Sequence, residues 1–301
     1  MKLVRLFLSF VTLTSQASLF ATAPTDTDYS FTQCEGSLTP YPTPAGEYEY
    51  PDSLTPVFIN HVGRHGARYP ASATNCLTLR RALEHADSLG TITPLGRQLR
   101  KLNDEVIDAS NNRWGALDSL GMNEQAMIAA RMFYNFTEVF GRENVVKAIS
   151  SYSPRAMMSM YSFTHQLDRL SNRLTFETST GRINSRLMRP FDIDRDYLAF
   201  RKDKLSQPAY DDYFEKTAPL SAIKRVLGDN YPWASDAAAR ELAITEYYVV
   251  AGLSAMGLPS QMDKYFTAAE ANALWSCFNL RQYLTRTATT ISSVPADIAA
   301  D

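Results

Sequence analysis

Histidine and cysteine are scarce in this chain of 301 residues, which holds four of the first and three of the second. His61, His65, His85 and His165 are not arranged as ligand pairs, and no Cys or His spacing matches a zinc site. No metal and no cofactor is expected. Cys34, Cys76 and Cys277 suit an oxidising compartment with one disulfide and one thiol left over, or else three inert buried thiols; sequence does not decide between them. Cys34 also lies too far past the first apolar stretch to be a lipid acceptor. Neither sign of charge is in excess: a formal net charge of -2 gives no general pull toward nucleic acid or an anionic membrane. Affinity for an anion must therefore be built locally. Internal repeats and low-complexity blocks are missing too. With 45% hydrophobic and 21% charged residues the chain has the composition of a globular protein with a large core, which excludes disorder.

Long apolar runs are also missing, apart from one short stretch at the start. Met1-Lys2-Leu3-Val4-Arg5 precedes apolar residues Leu6 to Leu13, and small residues follow up to Ala23 before Pro24. That order is the order of a secretory signal peptide, and the stretch is too short and too interrupted to span a bilayer. An exported protein, periplasmic or extracellular, with no integral membrane segment after signal removal, is the expectation.

Residues 24–54, rich in Pro, Thr, Tyr and Asp, read as an extended arm. Val57-Phe58-Ile59 reads as a short buried strand that runs into a glycine-bearing loop. Thr93-Pro94 opens a helix as N-cap and first helical residue, with Leu95, Leu99, Leu102 and Val106 on one face. A second helix is predicted from about Asn123-Glu124, with Ile128, Met132, Phe136 and Phe140 four apart. Val145 to Ile149 reads as a strand, and Ser153-Pro154-Arg155 ends it before a helix with Met157, Met160, Tyr161, Thr164 and Leu167 on one side. This α/β order implies a largely parallel sheet, and in such sheets ligands bind beyond the carboxyl ends of strands. The loops at 61–70 and 153–156 both occupy that position. From about 185 to 275 short helical stretches dominate, which reads as a mainly α-helical capping subdomain.

The loop after the first strand carries the chemistry. In Asn60-His61-Val62-Gly63-Arg64-His65-Gly66-Ala67-Arg68-Tyr69-Pro70, two arginines flank a histidine, and glycines let the backbone approach a ligand. Guanidinium groups match phosphoryl oxygens and stabilise their transfer, and an imidazole can attack phosphorus and hold the phosphoryl group. The positive charge of Arg64 and Arg68 favours the neutral, nucleophilic form of His65. His61 reads as an orienting or core residue, and His85 and His165 as structural.

This run resembles the signature of the histidine phosphatase superfamily, branch two, the histidine acid phosphatases and phytases, whose pattern is Arg-His-Gly-x-Arg-x-Pro. Arg64, His65, Gly66, Arg68 and Pro70 fill every specified position. The preceding Phe58 to Gly63 looks most like the multiple inositol polyphosphate phosphatase group. Leu95-Gly96, Leu120-Gly121 before a Gln125-bearing helix, and Ser153 to Arg155 agree further, so the resemblance covers roughly 55–170 with specific motifs.

The resemblance implies a phosphoglycerate-mutase-like central sheet with helices on both faces, plus the smaller helical cap. Its divisions would be a signal peptide at 1–23, an arm at 24–54, a phosphatase core at 55–184, a cap at 185–275 and a return segment at 276–301. It implies His65 as the nucleophile that becomes phosphohistidine, with Arg64, Arg68 and Arg155 binding phosphoryl oxygens. Small phosphomonoesters, in particular inositol phosphates, would be the substrates, with Arg182, Arg186, Arg189, Lys202 and Lys204 as candidate basic contacts. A broad-specificity acid phosphatase and a catalytically impaired phosphate-binding fragment are the alternatives.

One part of the family pattern is missing. The family takes its leaving-group proton from a His-Asp or His-Ala-Glu motif near the C-terminal end of the sheet, and no histidine follows His165 here. His85-Ala86-Asp87 lies on the wrong side of two helices and a strand for that role. The expectation is a chain that stops before the last strand, with 285–301 weakly structured.

Overall fold

The structure is a computed structural model that describes residues 29–44, 53–204 and 206–286. The expected signal peptide and the end of the chain from 287 lie outside these residues. The order of helices and strands is α1 (Phe31–Cys34), α2 (Thr74–Ser88), α3 (Pro94–Ser110), α4 (Ser119–Asn135), α5 (Thr137–Phe140), β1 (Asn144–Ile149), α6 (Pro154–Leu170) and β2 (Leu174–Ser179). Beyond these come α7 (Ser185–Met188), α8 (Arg195–Asp203), α9 (Gln207–Thr217), α10 (Ser221–Leu227), α11 (Asp236–Ala251), α12 (Met262–Tyr265) and α13 (Ala268–Arg286).

The predicted start of α3 holds in detail. Thr93 caps it by accepting from the Gly96 N–H at 3.0 Å, and Pro94 fills the first helical position, where no N–H is needed. Leu99, Leu102 and Val106 are buried and face α2 and α10. Each such side chain contributes about 1.5–3 kcal/mol by leaving water. α11 is buried on several sides through Ala239, Ala243, Ile244, Tyr247 and Val250, and lies at the centre of the large apolar core that α2, α3, α9, α10, α12 and α13 share. The helices after 207 thus bury their apolar faces against α2 and α3.

The arm is folded where it is described. Ser30 and Gln33 form a reciprocal capping box on α1, and the Tyr247 hydroxyl donates to the Cys34 carbonyl at 2.6 Å. Cys34, Cys76 and Cys277 are free thiols buried in the large core, so of the two readings the sequence left open the structure takes the three thiols. Burial pushes their pKa values up to about 11, 11 and 12, which makes them poor nucleophiles.

β1 and β2 pair in parallel, from Asn144 beside Leu174 to Ile149 beside Ser179, with α6 as the crossover between them. A parallel pair cannot be joined by a tight turn, so the helix is a topological necessity. Leu167 and Leu174 join Ala129, Val139 and Phe140 in a second, much smaller apolar cluster, against which α4 and α6 pack. On α6 the expected face is only half kept: Thr164 and Leu167 are buried, while Tyr161 is exposed.

Two expectations need correction. Val57-Phe58-Ile59 is not a buried strand: Phe58 is 80% exposed, and the sheet among the described residues has two strands, neither of which it joins. An apolar run becomes a strand only when a neighbour takes its N–H and C=O groups, and here the Val57 carbonyl accepts from Arg142 instead. The helix expected from Asn123 begins earlier, at Ser119, because Asp118 accepts from the Gly121 N–H at 2.7 Å and caps it. It ends at Asn135, so Phe136 and Phe140 continue the spacing across a break.

Candidate active site

The segment from Arg64 to Pro70 is held in place mainly through its backbone. The Gly66 N–H donates to Ser159 Oγ of α6 at 3.1 Å, and the Ala67 N–H donates to Glu124 Oε2 of α4 at 2.6 Å. The Gln125 side-chain amide donates to the Arg64 carbonyl at 3.1 Å, and Arg68 bridges to Leu117. With so many backbone groups satisfied by neighbours, the loop is fixed and its side chains are left for other work. Gly66 and Gly121 explain each other. A Cβ on Gly66 would lie 2.3 Å from the Gly121 carbonyl oxygen, and one on Gly121 would lie 2.1 Å from that of Ala67. Only glycine permits this approach.

His65 is half-buried, and its Nδ1 lies 2.8 Å from the Gly66 carbonyl oxygen. A carbonyl can only accept, so Nδ1 carries the proton and the lone pair sits on Nε2. Burial lowers the His65 pKa to about 4, and the charges of Arg64, Arg155 and Arg68 act in the same direction against the opposing Gly66 bond. The arginines alone were expected to keep this ring neutral; desolvation is the larger cause.

The charges of Arg64 and Arg68, from the loop of His65, and of Arg155, from the first turn of α6, are all felt at this ring. Arg68 is pushed down by burial, then by Arg155 and Arg64, and Arg155 by burial, then by Arg189 and Arg64. Among the described residues none of the three forms an ion pair, and Arg155 Nε is buried with no partner. Arg64 reaches the Ser37 carbonyl at 3.4 Å and Arg68 the Tyr69 carbonyl at 2.9 Å. Three cations without a counter-charge, beside a neutral imidazole with a free lone pair, form a ready site for a polyanionic group. Ser153 gives α6 no side-chain cap, Pro154 has no N–H, and the Ala156 and Met157 N–H groups donate to the Ser153 carbonyl, so of the first turn the Arg155 N–H is left as a donor.

Of the other histidines, His61, expected as an orienting or core residue, is exposed. His61 stacks on Phe163 with ring centroids 5.2 Å apart, His85 meets the Tyr231 hydroxyl at 3.1 Å, and His165 is exposed on α6. Ser159 and Glu124 were missed, because a serine or glutamate inside a helix carries no spacing signal. Among the described residues no group of His, Cys, Asp and Glu could hold a metal ion, and no helix is long and apolar enough to cross a membrane. A groove of about 430 Å³ lined by Thr93, Ser221, Lys224, Arg225, Gly228 and Asp229 does not include His65 or its arginines. Its Arg225 already pairs with Glu270 at 2.7 Å.

No family model and no curated protein sequence matches the chain. Solved structures do. The multiple inositol polyphosphate phosphatase of Bifidobacterium longum in complex with inositol hexasulfate superposes with a TM-score of 0.66 at 13% identity, over 89% of this chain and 73% of that one. The same phosphatase in complex with phosphate gives 0.65 at 14%, over 89% and 72%. The phytase from D. castellii gives 0.67 at 19%, over 90% of this chain and 62% of that one. The chain has the fold of these phosphatases. Identities this low speak for the fold alone, so the chemistry rests on the residues around His65.

Proposed function

We propose that the chain is a phosphomonoester hydrolase of the histidine acid phosphatase type, which removes phosphate from inositol polyphosphates through a phosphohistidine at His65. The observation that carries this is the neutral His65, Nδ1 protonated against Gly66, among three arginines that form no ion pair among the described residues. In this reading Arg64, Arg68 and Arg155 hold the phosphoryl oxygens. The Nε2 lone pair attacks phosphorus, a nitrogen–phosphorus bond forms, and the bond from phosphorus to the ester oxygen breaks. The leaving alkoxide takes a proton from water. A second water then attacks phosphorus, the electron pair of the nitrogen–phosphorus bond returns to Nε2, and orthophosphate departs. The leading segment with Lys2 and Arg5 supports export to the periplasm or the extracellular space.

A positioned general acid contributes about 10² to 10⁴-fold, and no histidine follows His165 in the sequence to take that role. Asp192 is bound by Arg189 and Tyr152, which hold its carboxyl below the usual range, so it has no proton to give at working pH. That observation favours a second reading, a phosphate-binding module with little turnover. Incubation with phytate, followed by assays of released phosphate and of acid-labile phosphohistidine, separates the two. Release that falls by about 10³-fold or more in His65→Ala is expected. Release indifferent to that substitution would sink the nucleophile, and phosphate binding without any release would establish the module. Because the His65 ring gains its proton only near pH 4, turnover is expected to persist at pH 5 and to fall as pH drops through about 4.

A further inference from the structure

The peptide group between Gly66 and Ala67 is engaged at both ends. Its carbonyl oxygen lies 2.8 Å from His65 Nδ1 and accepts the proton there, and its N–H donates to Glu124 Oε2 at 2.6 Å. A buried carboxylate and the ring of the nucleophile thus sit on opposite sides of one trans amide. The bonds run from Glu124 through N–H and C=O to Nδ1–H, and the Nε2 lone pair lies at the far end of that chain.

α4 is built to make this reach. Asp118 caps its first turn on the Gly121 N–H, and Gly121, without a Cβ, lets Gly66 lie against the helix backbone. Glu124 stands three residues on from Gly121 and so on the same side of the helix, where its side chain meets the peptide that follows Gly66. Its other oxygen, Oε1, accepts from the Tyr41 N–H at 2.7 Å. N–H donors at such short distances are characteristic of an ionised acceptor. Glu124 forms no ion pair among the described residues, so its charge acts on backbone groups, one of them the peptide behind His65.

An amide whose N–H is held by an anion is a stronger acceptor at its C=O, since bonds in such a chain strengthen one another by roughly 10–30% each. A stronger acceptor at Nδ1–H leaves more electron density on Nε2, as it does for histidines that bind metals. Burial and the charges of Arg64, Arg155 and Arg68 disfavour positive charge on the ring, and the Gly66 bond opposes them. As Nε2 bonds to phosphorus the ring becomes positive and Nδ1–H a better donor, so the chain of bonds strengthens when it is needed. We propose that Glu124 is a positioning residue that acts through the peptide between Gly66 and Ala67, fixing the Nδ1–H form of His65 and making Nε2 a better nucleophile. The inference rests on the reading of His65 as the phosphate-transfer residue, and it names what activates that ring.

Two measurements at pH 7 test it. Proton NMR of nitrogen-15-labelled wild type is expected to show a His65 proton on Nδ1, shifted downfield by a strong hydrogen bond, and Glu124→Gln is expected to move it upfield. A wild-type His65 ring protonated on Nε2 instead overturns the relay without any variant. The second measurement is the rate at which phosphoramidate phosphorylates each histidine, read by mass spectrometry of peptides. In that reaction Nε2 bonds to phosphorus, the bond from phosphorus to the amide nitrogen of the reagent breaks, and ammonia departs. At His65 the rate is expected to fall about tenfold in Glu124→Gln, the lower end of what losing a partner behind a histidine costs. A carboxylate that only held the loop would give the opposite sign, because a loosened loop opens the ring to the reagent. An unchanged or faster rate therefore overturns the relay. Asp118→Asn removes a neighbouring charge, one that feels Glu124, and keeps a side chain able to cap α4, so the His65 rate is expected to stay within about twofold. A fall there equal to that in Glu124→Gln would reveal plain charge acting through space and overturn the relay. Wild-type His65 that is phosphorylated at a rate indifferent to Glu124→Gln keeps the nucleophile and loses the relay, whereas a wild-type His65 that takes no phosphoryl group overturns both.

Discussion

The helical side of the molecule and the side that carries His65 are built to different standards of packing. On the helical side, Leu79, Leu83, Leu99, Ile223, Leu227, Tyr247 and Leu274 are fully buried in one continuous core. On the other, the small cluster around Leu167 closes over two short strands, while Val57, Phe58, Val62 and Tyr134 stay exposed. On the dense side charges are paired, as Arg100 is with Asp87 and Arg225 with Glu270, whereas the thin side gathers arginines that form no ion pair among the described residues. Charged groups that must meet a ligand cannot be enclosed by apolar neighbours without a large desolvation cost, so the thin packing and the chemistry belong together.

The comparison breaks first on apolar truncation. Leu99→Ala should cost about 2–5 kcal/mol, as buried leucines do, whereas Phe58→Ser should change stability by less than about 0.5 kcal/mol, as exposed positions do. Urea unfolding reads both, and a large loss at Phe58 would mean that its face is covered in solution. A pair of glycines sharpens the contrast. Gly96 meets the Val226 carbonyl as closely as Gly121 meets that of Ala67, with a Cβ at 2.0 Å in the first case and 2.1 Å in the second. Alanine at either is expected to cost about 1–3 kcal/mol by overpacking. Phosphate affinity of the folded protein should fall in Gly121→Ala and hold in Gly96→Ala; equal behaviour would deny that the α4 contact shapes the loop.

A further contrast concerns a carboxyl inside the dense core. Glu246 is fully buried, both its oxygens lack partners, and burial pushes its pKa to about 8 against the lowering influence of Arg225. Its folded value lies above its unfolded one, so the folded state holds a proton that the unfolded state releases. Stability is therefore greatest below about pH 4.5 and declines as pH rises toward about 8. The slope attributable to this group is about 1 kcal/mol per pH unit. Glu246→Gln should flatten that slope in thermal melts taken from pH 5 to pH 8, and an unchanged slope would place the titration elsewhere. The side without the site would then supply the acid tolerance.

Local rules written in short stretches were legible in advance. Thr93-Pro94 specifies a helix start through its own cap and its missing N–H, and Val145 to Ile149 specifies a strand through β-branched residues. Arg64, His65, Gly66 and Arg68 could be read together as a candidate site because their spacing lies along one segment. Val57-Phe58-Ile59 failed as a strand because pairing is supplied by another segment, which no local pattern contains. Likewise, Arg155 could be placed at a strand end from sequence, but Glu124 came to lie behind the peptide between Gly66 and Ala67 only through the packing of α4 on the loop. The neutrality of His65 divides the same way. Its neighbours in sequence supply part of the charge that disfavours its proton, while the larger cause, burial, depends on how the surrounding segments pack around its ring. Sequence thus determined which groups could do the chemistry, because residue type and spacing are local. Tertiary structure decided their protonation, their company and their reach, because desolvation and charge act through space.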